Sequence, residues 1–252
     1  MSSRRRTNPA DGENAARARG GIVVTSSGAW MDVDLPGEHR TLSWATHGGG
    51  FTTARRVSWR QVTDADLPPE VDPRRFIEAD LRRRTVQSDV VLLTSRRISA
   101  RERIDVDVGD VRATALATVG LSNAVRTGYV DRDSAPSIRN PQSSWGTINV
   151  LCCVDRSLSD AAMIEAVSIA AEARTLAILE RGLAVDGGDA TGTGTDCIVV
   201  AAPMDPLLGD PYAGKHTTIG TAIGASVHAA VSRGADRWLE ERRSMAAREE
   251  TS

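Results

Sequence analysis

The chain has 252 residues, a formal net charge of −2 at pH 7 and 40% hydrophobic residues, a composition typical of an ordinary folded protein. The near-neutral charge gives no reason to expect nucleic acid as a partner, and only two Phe and two Tyr are available to stack on bases. No apolar run approaches the roughly 20 residues that a membrane helix needs, so no membrane association is predicted.

Two features of the sequence bear on the compartment in which the protein works. Residues 1–20 are predicted to be a disordered, arginine-rich leader, and no hydrophobic segment follows Arg4–Arg6 as an export signal would require. The three cysteines, Cys152, Cys153 and Cys197, are odd in number and two are adjacent, which does not make a disulfide framework. We therefore expect structural cysteines and a cytoplasmic location.

The first half of the chain predicts four strands and one helix. The strands are expected at residues 21–25, 40–44, 89–93 and 111–119. The helix begins at Asp72 and Pro73, an N-cap followed by proline at the first helical position, and ends in Arg82–Arg84. A triple glycine follows His47, which indicates a loop with unusual backbone geometry or close ligand approach.

The second half predicts two strands, each followed by a helix. The strands are residues 146–154 and 197–202, and the first helix runs from about Ser159 to Arg181 and is closed by Gly182. Its predicted buried stripe is Ile164, Val167, Ala171 and Ile178. The second helix has its predicted buried stripe at Ile219, Ile223, Val227, Ala230 and Val231. Beside this stripe Gly220 and Gly224 predict close helix packing, with His228 at its edge.

No repeat or interdomain linker interrupts the pattern of strands and helices. We therefore predict one layered α/β domain over residues 21–235, with β-sheets flanked by helices. Residues 236–252 are strongly charged and are expected to form a surface C-terminal helix and tail.

The most informative segment is residues 190–196 (Ala-Thr-Gly-Thr-Gly-Thr-Asp), which precede a predicted buried strand. Gly192 and Gly194 are expected to adopt backbone angles that other residues avoid. The hydroxyls of Thr191, Thr193 and Thr195 are expected to lie close to the carboxylate of Asp196. Because the turn comes before a strand, a nucleotide-binding loop is not predicted. The turn is either a ligand-binding loop or a tight connection with solvated threonines.

Five short motifs together resemble the adenosylcobinamide amidohydrolase family over about residues 40–232. They are Ser-Asn-Ala-Val-Arg at 122–126, Gly-Thr-Ile-Asn at 146–149, Glu-Ala-Arg-Thr at 172–175, the turn at 190–196 and Gly-Lys-His-Thr at 214–217. The resemblance implies hydrolysis of the amide between the corrin ring and the aminopropanol arm of adenosylcobinamide, giving adenosylcobyric acid. The corrinoid is then the substrate, and no cofactor is expected. Arg174 stands where a lysine is expected, a change interpreted as conservative at a solvated site, and His47 is a second departure.

The strand, helix and turn of residues 146–196 resemble more faintly the β-peptide aminopeptidases and ornithine acetyltransferases. Those enzymes use a Ser or Thr released by self-cleavage, within stacked sheets flanked by helices. This resemblance implies a four-layer αββα sandwich as one arrangement, Thr147 as nucleophile and Asn123 as an oxyanion-stabilising or positioning residue. Thr147 is otherwise an ordinary β-branched residue at the start of a strand, or acts within an uncleaved chain.

His216 is the candidate general acid or base, since histidine exchanges protons near neutral pH. Asp196 is expected to orient His216 or to hold the aminopropanol hydroxyl; alternatively, it accepts hydrogen bonds within its own turn, and His216 is a capping-loop residue. The candidate substrate-binding residues are Ser122, Arg126, Thr191, Gly192, Thr193, Gly194, Thr195, Gly49 and Gly50. Metal-ligand spacing is absent from the sequence, so no metal site is predicted.

Two rival functions remain open at this point. One is a corrinoid-binding module without hydrolytic activity, and the other is a self-processing aminopeptidase or acyltransferase that uses Thr147. The sequence leaves a homo-oligomer open as well.

Overall fold

One mixed sheet of eight strands organises the part of the chain that the computed structural model describes, residues 21–129, 146–205 and 209–249. Its strands are β1 (Val23–Ser27), β2 (Trp30–Ser43), β3 (Gly50–Gln61), β4 (Val90–Thr94), β5 (Glu102–Val108), β6 (Val111–Val119), β8 (Ile148–Val154) and β12 (Cys197–Pro203). Four two-residue strands form two small ribbons: β7 (Ala124–Val125) with β11 (Gly192–Thr193), and β9 (Ala184–Val185) with β10 (Gly188–Asp189). The α-helices are α1 (Pro73–Arg83), α2 (Asp160–Leu179) and α3 (Thr218–Glu249). The predicted leader lies outside the described residues.

The sheet bends so that its two halves form two layers. Its strand order is β4-β3-β2-β12-β8-β6-β5, with β1 beside β2, and the β2–β3 register shifts between Asp34 and His39. One core lies between α2, α3 and one face of β6, β8 and β12. A second core lies on the opposite face of these strands, against β2, β3 and β4. On the outer side of β3, Arg60 donates a hydrogen bond to Asp80 of α1 at 2.6 Å.

These contacts confirm the predicted α/β domain with helices flanking a sheet. The layers run from α2 and α3, through the two halves of one continuous bent sheet, to α1. Successive side chains of β8 point into the two cores in turn. Val150 and Cys152 face the helices, whereas Leu151 and Cys153 face the second half of the sheet.

The connection β8-α2-β12 decides where the candidate site is built. β8 and β12 are neighbouring parallel strands, with Asn149 opposite Cys197. Their starting ends therefore lie at the same edge of the sheet. Thr147 comes just before β8 and Asp196 just before β12, so two residues 49 positions apart in sequence are brought together.

Most of the predicted elements are present, and the caps form as expected. Asp72 accepts a hydrogen bond from Arg74 N at 2.8 Å, and Ser159 caps α2 by accepting one from Ala162 N at 3.2 Å. Gly182 closes α2 with a φ of 57°. β3 and β5 were not predicted from the sequence.

The predicted buried face of α2 is only partly right: Ile178 is buried, and Val167 and Ala171 are half-buried against the core. Ile164 is 58% exposed, and the buried residues are Ala162, Met163, Ala166, Ile169, Ala170, Ala173, Ala177 and Ile178. Alanine and other apolar residues occur around most of this helix, so periodicity does not single out one face. The small alanines are the buried ones because they let α2 pack closely on α3 and the sheet.

The predicted buried stripe of the last helix is confirmed, since Ile219, Ile223 and Val227 are all at most 4% exposed. α3 continues without interruption to Glu249, so the charged residues from 236 onward extend the same helix. Gly224 packs against Ile169 of α2, as predicted for close helix contact. Within the described residues, none of the helices has a segment long and apolar enough to cross a membrane.

Candidate active site

Thr147 and the turn before β12 form the centre of the candidate site. The Thr147 hydroxyl donates a hydrogen bond to Thr195 O at 2.8 Å, and Thr147 is 5% exposed. The next residue, Ile148, donates its backbone N–H to Asp196 Oδ1 at 3.0 Å. The start of β8 is thus tied to the turn by one side-chain and one backbone donor.

A buried ion pair holds Asp196 in place. Arg174 of α2 contacts Asp196 Oδ2 through Nη1, and Thr193 N donates to the same oxygen at 3.0 Å. The side chains of Arg174 and Asp196 are only 16% and 5% exposed, and burial lowers the pKa of Arg174. The interpretation of residue 174 as a solvated position is therefore wrong. A buried arginine at this place is a structural partner of the turn.

The two glycines of the turn do not serve the purpose predicted for them. Neither Gly192 nor Gly194 has a positive φ, so neither needs the conformational freedom of glycine. At Gly192 the reason is space, because a Cβ would lie 2.3 Å from Arg174 Nη1 and 2.4 Å from Asp196 Oδ2. At Gly194 a Cβ would meet open space. Gly192 is thus required by the Arg174–Asp196 pair.

The ribbon of β7 and β11 brings the motif at 122–126 to the turn. Thr193 pairs with Ala124, and Asn123 Nδ2 donates to Thr195 Oγ1 at 3.4 Å. Thr195 Oγ1 in turn donates to Gly146 O at 3.0 Å. Asn123 Oδ1 is buried without a hydrogen-bond partner in the described structure. This unsatisfied oxygen lies against Gly146, the residue before Thr147, and such an atom is expected where a substrate supplies the missing partner.

Asn149 was part of a motif, but sequence reasoning gave it no role. Its Oδ1 lies 3.5 Å from Thr147 Oγ1, and its Nδ2 donates to Leu93 O of β4 at 2.6 Å. The spacing could have revealed this contact, because Thr147 and Asn149 are two positions apart and such residues face the same side of a strand. Asn149 therefore joins Thr147 to the second layer of the sheet.

Arg126 and Thr191 lie at the far side of the ribbon from Thr147. Arg126 Nη1 donates to Asp189 O at 2.9 Å, and Thr191 Oγ1 accepts from Thr127 N at 2.8 Å. These two hydrogen bonds hold together the two loops that continue from the β7–β11 ribbon.

The hairpin between β2 and β3 joins the site through Trp44, a contact that the sequence did not reveal. Trp44 Nε1 donates to Asp196 O at 2.5 Å. The unusual backbone predicted for the triple glycine is confirmed, with φ of 69° at Gly48 and 80° at Gly50. Gly49 packs closely against the backbone of Ala45 in the same loop, since a Cβ at Gly49 would be 2.5 Å from Ala45 O.

The structure does not bring His216 to Asp196, and the expectation that Asp196 orients this histidine is wrong. His216 is exposed in the loop before α3. Two hydrogen bonds attach that loop to the start of α2. Ser159 N donates to Asp210 O at 3.0 Å, and Ala213 N donates to Glu165 Oε2 at 2.8 Å. Lys215, the residue before His216, contacts Glu172 of α2, and His216 itself makes no hydrogen bond to Asp196 or Thr147 in the described structure.

We expect His216→Ala to keep turnover within about 2-fold of the unchanged protein, because the imidazole is exposed and makes no hydrogen bond to Asp196 or Thr147 in the described structure. Steady-state kinetics on adenosylcobinamide would check this. A loss of activity beyond about 100-fold in a folded variant would restore His216 to the mechanism.

Gly146→Ala is expected to lower turnover by at least about 10-fold, because a Cβ at Gly146 would lie 2.5 Å from Ser122 N and 2.8 Å from Asn123 Oδ1. The added methyl would move these two residues away from Thr147. The matched control is Gly37→Ala, since a Cβ at Gly37 has no neighbour within 4 Å and its φ is not positive. Equal turnover of both variants would contradict the close packing inferred here.

The cysteines are buried and lie in strands. Burial raises the pKa of the Cys152 and Cys197 thiols to about 12, so neither is ionised at neutral pH. In the described part of the chain, no three His, Cys, Asp or Glu side chains are grouped as a metal site would need.

Comparison with known proteins finds one matching family and several relatives. The family model described as adenosylcobinamide amidohydrolase matches residues 17–243. An adenosylcobinamide amidohydrolase of Methanosarcina mazei is 27% identical over 205 residues, which cover 77% of this chain and 88% of that protein. An adenosylcobinamide amidohydrolase of Halobacterium salinarum is 36% identical over 115 residues, which cover 46% of each chain.

Among solved structures, a beta-aminopeptidase of a Burkholderia species is similar over 84% of this chain and 82% of its own. The sequence identity is 11% and the TM-score is 0.40. The L-aminopeptidase D-Ala-esterase/amidase of Ochrobactrum anthropi is similar over 85% of this chain and 82% of its own, with 12% identity and a TM-score of 0.39.

Proposed function

The chain belongs to the adenosylcobinamide amidohydrolase family, and from that premise we propose that it hydrolyses the amide joining the aminopropanol arm to the corrin ring of adenosylcobinamide. The products are adenosylcobyric acid and aminopropanol, and the corrinoid is substrate rather than cofactor. The observation that carries the proposal is the meeting of Thr147, Asn123 and Asp196, which come from three separate motifs, at one edge of the sheet.

We propose Thr147 as the nucleophile of this reaction. Its Oγ attacks the amide carbon, and the tetrahedral intermediate collapses to an ester as aminopropanol leaves with an added proton. Water then hydrolyses the ester, which releases adenosylcobyric acid and restores the hydroxyl. Asn123 positions the substrate through its unpartnered Oδ1, which can accept from a substrate N–H, or stabilises the oxyanion through Nδ2, which also donates to Thr195 Oγ1. Asp196 holds the turn rather than moving a proton, because Arg174 and Thr193 already occupy its carboxylate.

A self-processed form of the enzyme is favoured by the surroundings of the Thr147 hydroxyl. Its hydrogen-bond contacts in the described residues are Thr195 O and Asn149 Oδ1, neither of which is a base of useful strength. Cleavage of the Gly146–Thr147 peptide would free the α-amine of Thr147, which can accept the hydroxyl proton. Intact mass of the purified protein tests this: two fragments that meet at Thr147 support it, and one full-length mass in active enzyme contradicts it.

The activity itself is tested by mass spectrometry of adenosylcobinamide incubated with pure protein, with and without a chelator. Release of adenosylcobyric acid and aminopropanol supports the proposal. Substrate that is bound but unchanged favours the non-catalytic corrinoid-binding module. Hydrolysis of small amino-terminal amides in its place favours the aminopeptidase or acyltransferase function.

A further inference from the structure

Thr195 contacts the nucleophile and the peptide bond before it through two different oxygens. Its backbone oxygen accepts the hydrogen bond from the Thr147 hydroxyl at 2.8 Å. Its side-chain Oγ1 donates to Gly146 O at 3.0 Å. Gly146 O is the carbonyl oxygen of the Gly146–Thr147 peptide, the bond that self-processing would cut. One residue therefore holds both the attacking hydroxyl and the carbonyl that this hydroxyl would attack.

The direction of the Thr195 hydroxyl is set by Asn123. Asn123 Nδ2 donates to Thr195 Oγ1 at 3.4 Å, so this oxygen is an acceptor on one side. A hydroxyl carries a single hydrogen, and that of Thr195 is left for Gly146 O. Hydrogen bonds that follow one another in a chain polarise each other. The amide of Asn123 thus makes the Thr195 hydroxyl a stronger donor to the carbonyl oxygen.

We propose that Thr195 is a catalytic residue whose hydroxyl stabilises the oxyanion in both reactions of Thr147, the cleavage of its own chain and the hydrolysis of the substrate amide. The inference rests on the proposed function, with Thr147 as the self-processed nucleophile, and adds the donor that the developing negative charge requires. A donor that is already in place before the charge develops costs no reorganisation during the reaction.

In the cleavage reaction, Thr147 Oγ attacks the carbonyl carbon of Gly146, and negative charge develops on Gly146 O, to which Thr195 donates. The carbon–nitrogen bond then breaks as the hydroxyl proton passes to the nitrogen of Thr147. This leaves an ester between Gly146 and Thr147 Oγ. Water hydrolyses the ester to a carboxylate on Gly146, and Thr147 keeps a free hydroxyl and a free α-amine.

The same donor serves the substrate once the peptide is cut. Thr195 is an exposed residue, although its hydroxyl contacts the buried Gly146. With the carbonyl of Gly146 displaced, the oxygen of the substrate amide accepts the hydrogen bond from Thr195 Oγ1. Thr195 O continues to hold the Thr147 hydroxyl. An uncleaved chain is expected to be inactive, because its own carbonyl occupies the donor.

The test is Thr195→Val, which removes the hydroxyl and keeps the backbone oxygen that holds Thr147. Intact mass of protein made by cell-free synthesis, followed over time, should show cleavage at Thr147 about 10²-fold slower than in the unchanged protein, as expected for the loss of one oxyanion donor. Per cleaved chain, kcat for adenosylcobinamide should also fall about 10²-fold while KM changes less than about 3-fold, because the lost hydrogen bond strengthens only as charge develops.

Two variants separate this role from a structural one. Thr195→Ser restores the hydroxyl and should recover both rates to within about 10-fold of the unchanged protein. The matched control is Thr127→Val, since Thr127 is an exposed threonine whose hydroxyl joins the same two loops through Thr191 Oγ1 at 2.9 Å. It should keep both rates within about 2-fold, as expected for a surface substitution. A thermal melt of each variant shows that it is folded.

The outcomes distinguish this inference from the function on which it rests. Normal cleavage and normal kcat in folded Thr195→Val would overturn the role of Thr195 and leave the amidohydrolase intact. An unchanged enzyme that is active without cleavage would do the same, because Gly146 O would still occupy the donor. If the unchanged, cleaved protein does not hydrolyse adenosylcobinamide, the proposed function is lost, whereas slower cleavage of Thr195→Val would still support the first of the two roles.

Discussion

Thr147→Val should lower the turnover of adenosylcobinamide by at least about 10³-fold and leave the protein folded. Valine keeps the β-branched shape of threonine in this buried position but has no hydroxyl to attack the amide. The folded state loses one hydrogen bond, from Thr147 Oγ1 to Thr195 O, which costs about 1 kcal/mol. Single-turnover kinetics on pure protein, with a thermal melt alongside, would measure both effects.

Two further variants make this result specific to the hydroxyl. Thr147→Ser restores a hydroxyl and should recover a large part of the turnover. Thr41→Val removes a buried hydroxyl that also donates to a backbone carbonyl, Thr52 O at 3.0 Å, but Thr41 lies in β2 away from Thr147. It should cost a similar amount of stability and no turnover. Near-normal turnover of Thr147→Val would leave Thr147 as a structural residue and require an activated water.

The elements with strong local signals were predictable from the sequence. β6 matches its predicted range of 111–119, and α1 begins at the predicted Asp72 cap. β5 was missed, although Ile104 and Val106 alternate with charged residues, a period of two that predicts a half-exposed strand. The buried face of α2 could not be found in this way, because its burial is decided by which of many small apolar residues meet α3.

The motifs located the site only in part, because sequence order does not show which ends of the strands coincide. Thr147 and Asp196 meet since each precedes one of two adjacent parallel strands. His216 follows β12 and makes no hydrogen bond to either residue in the described structure, although its motif is as well defined as theirs. That a histidine is suited to proton transfer therefore does not show that it lies in the active site. The role of Arg174 was hidden for a related reason, since burial of its side chain depends on its contact with Asp196, which lies 22 residues further along the chain.

Asp196→Asn is expected to destabilise the protein by about 3 to 5 kcal/mol, the range for removing one partner of a buried ion pair. The change keeps the shape of the side chain but leaves the largely buried guanidinium of Arg174 without a counter-charge. Ile148 N and Thr193 N also depend on the Asp196 carboxylate. Urea unfolding, analysed for the free energy in water, would measure the loss.

Asp107→Asn is the matched control, because Asp107 and Arg112 form an ion pair whose side chains are 60% and 45% exposed. Solvent screens that pair, so the control should lose little or no stability. Arg174→Gln should also destabilise, and combining it with Asp196→Asn should cost less than the sum of the two single changes, because the double variant buries no unpaired charge. Strict additivity, or a loss from Asp196→Asn no larger than that of the control, would mean that the ion pair does not hold the turn. Since Thr195 O and Gly146 are placed by the same turn, the double variant should regain stability without regaining turnover.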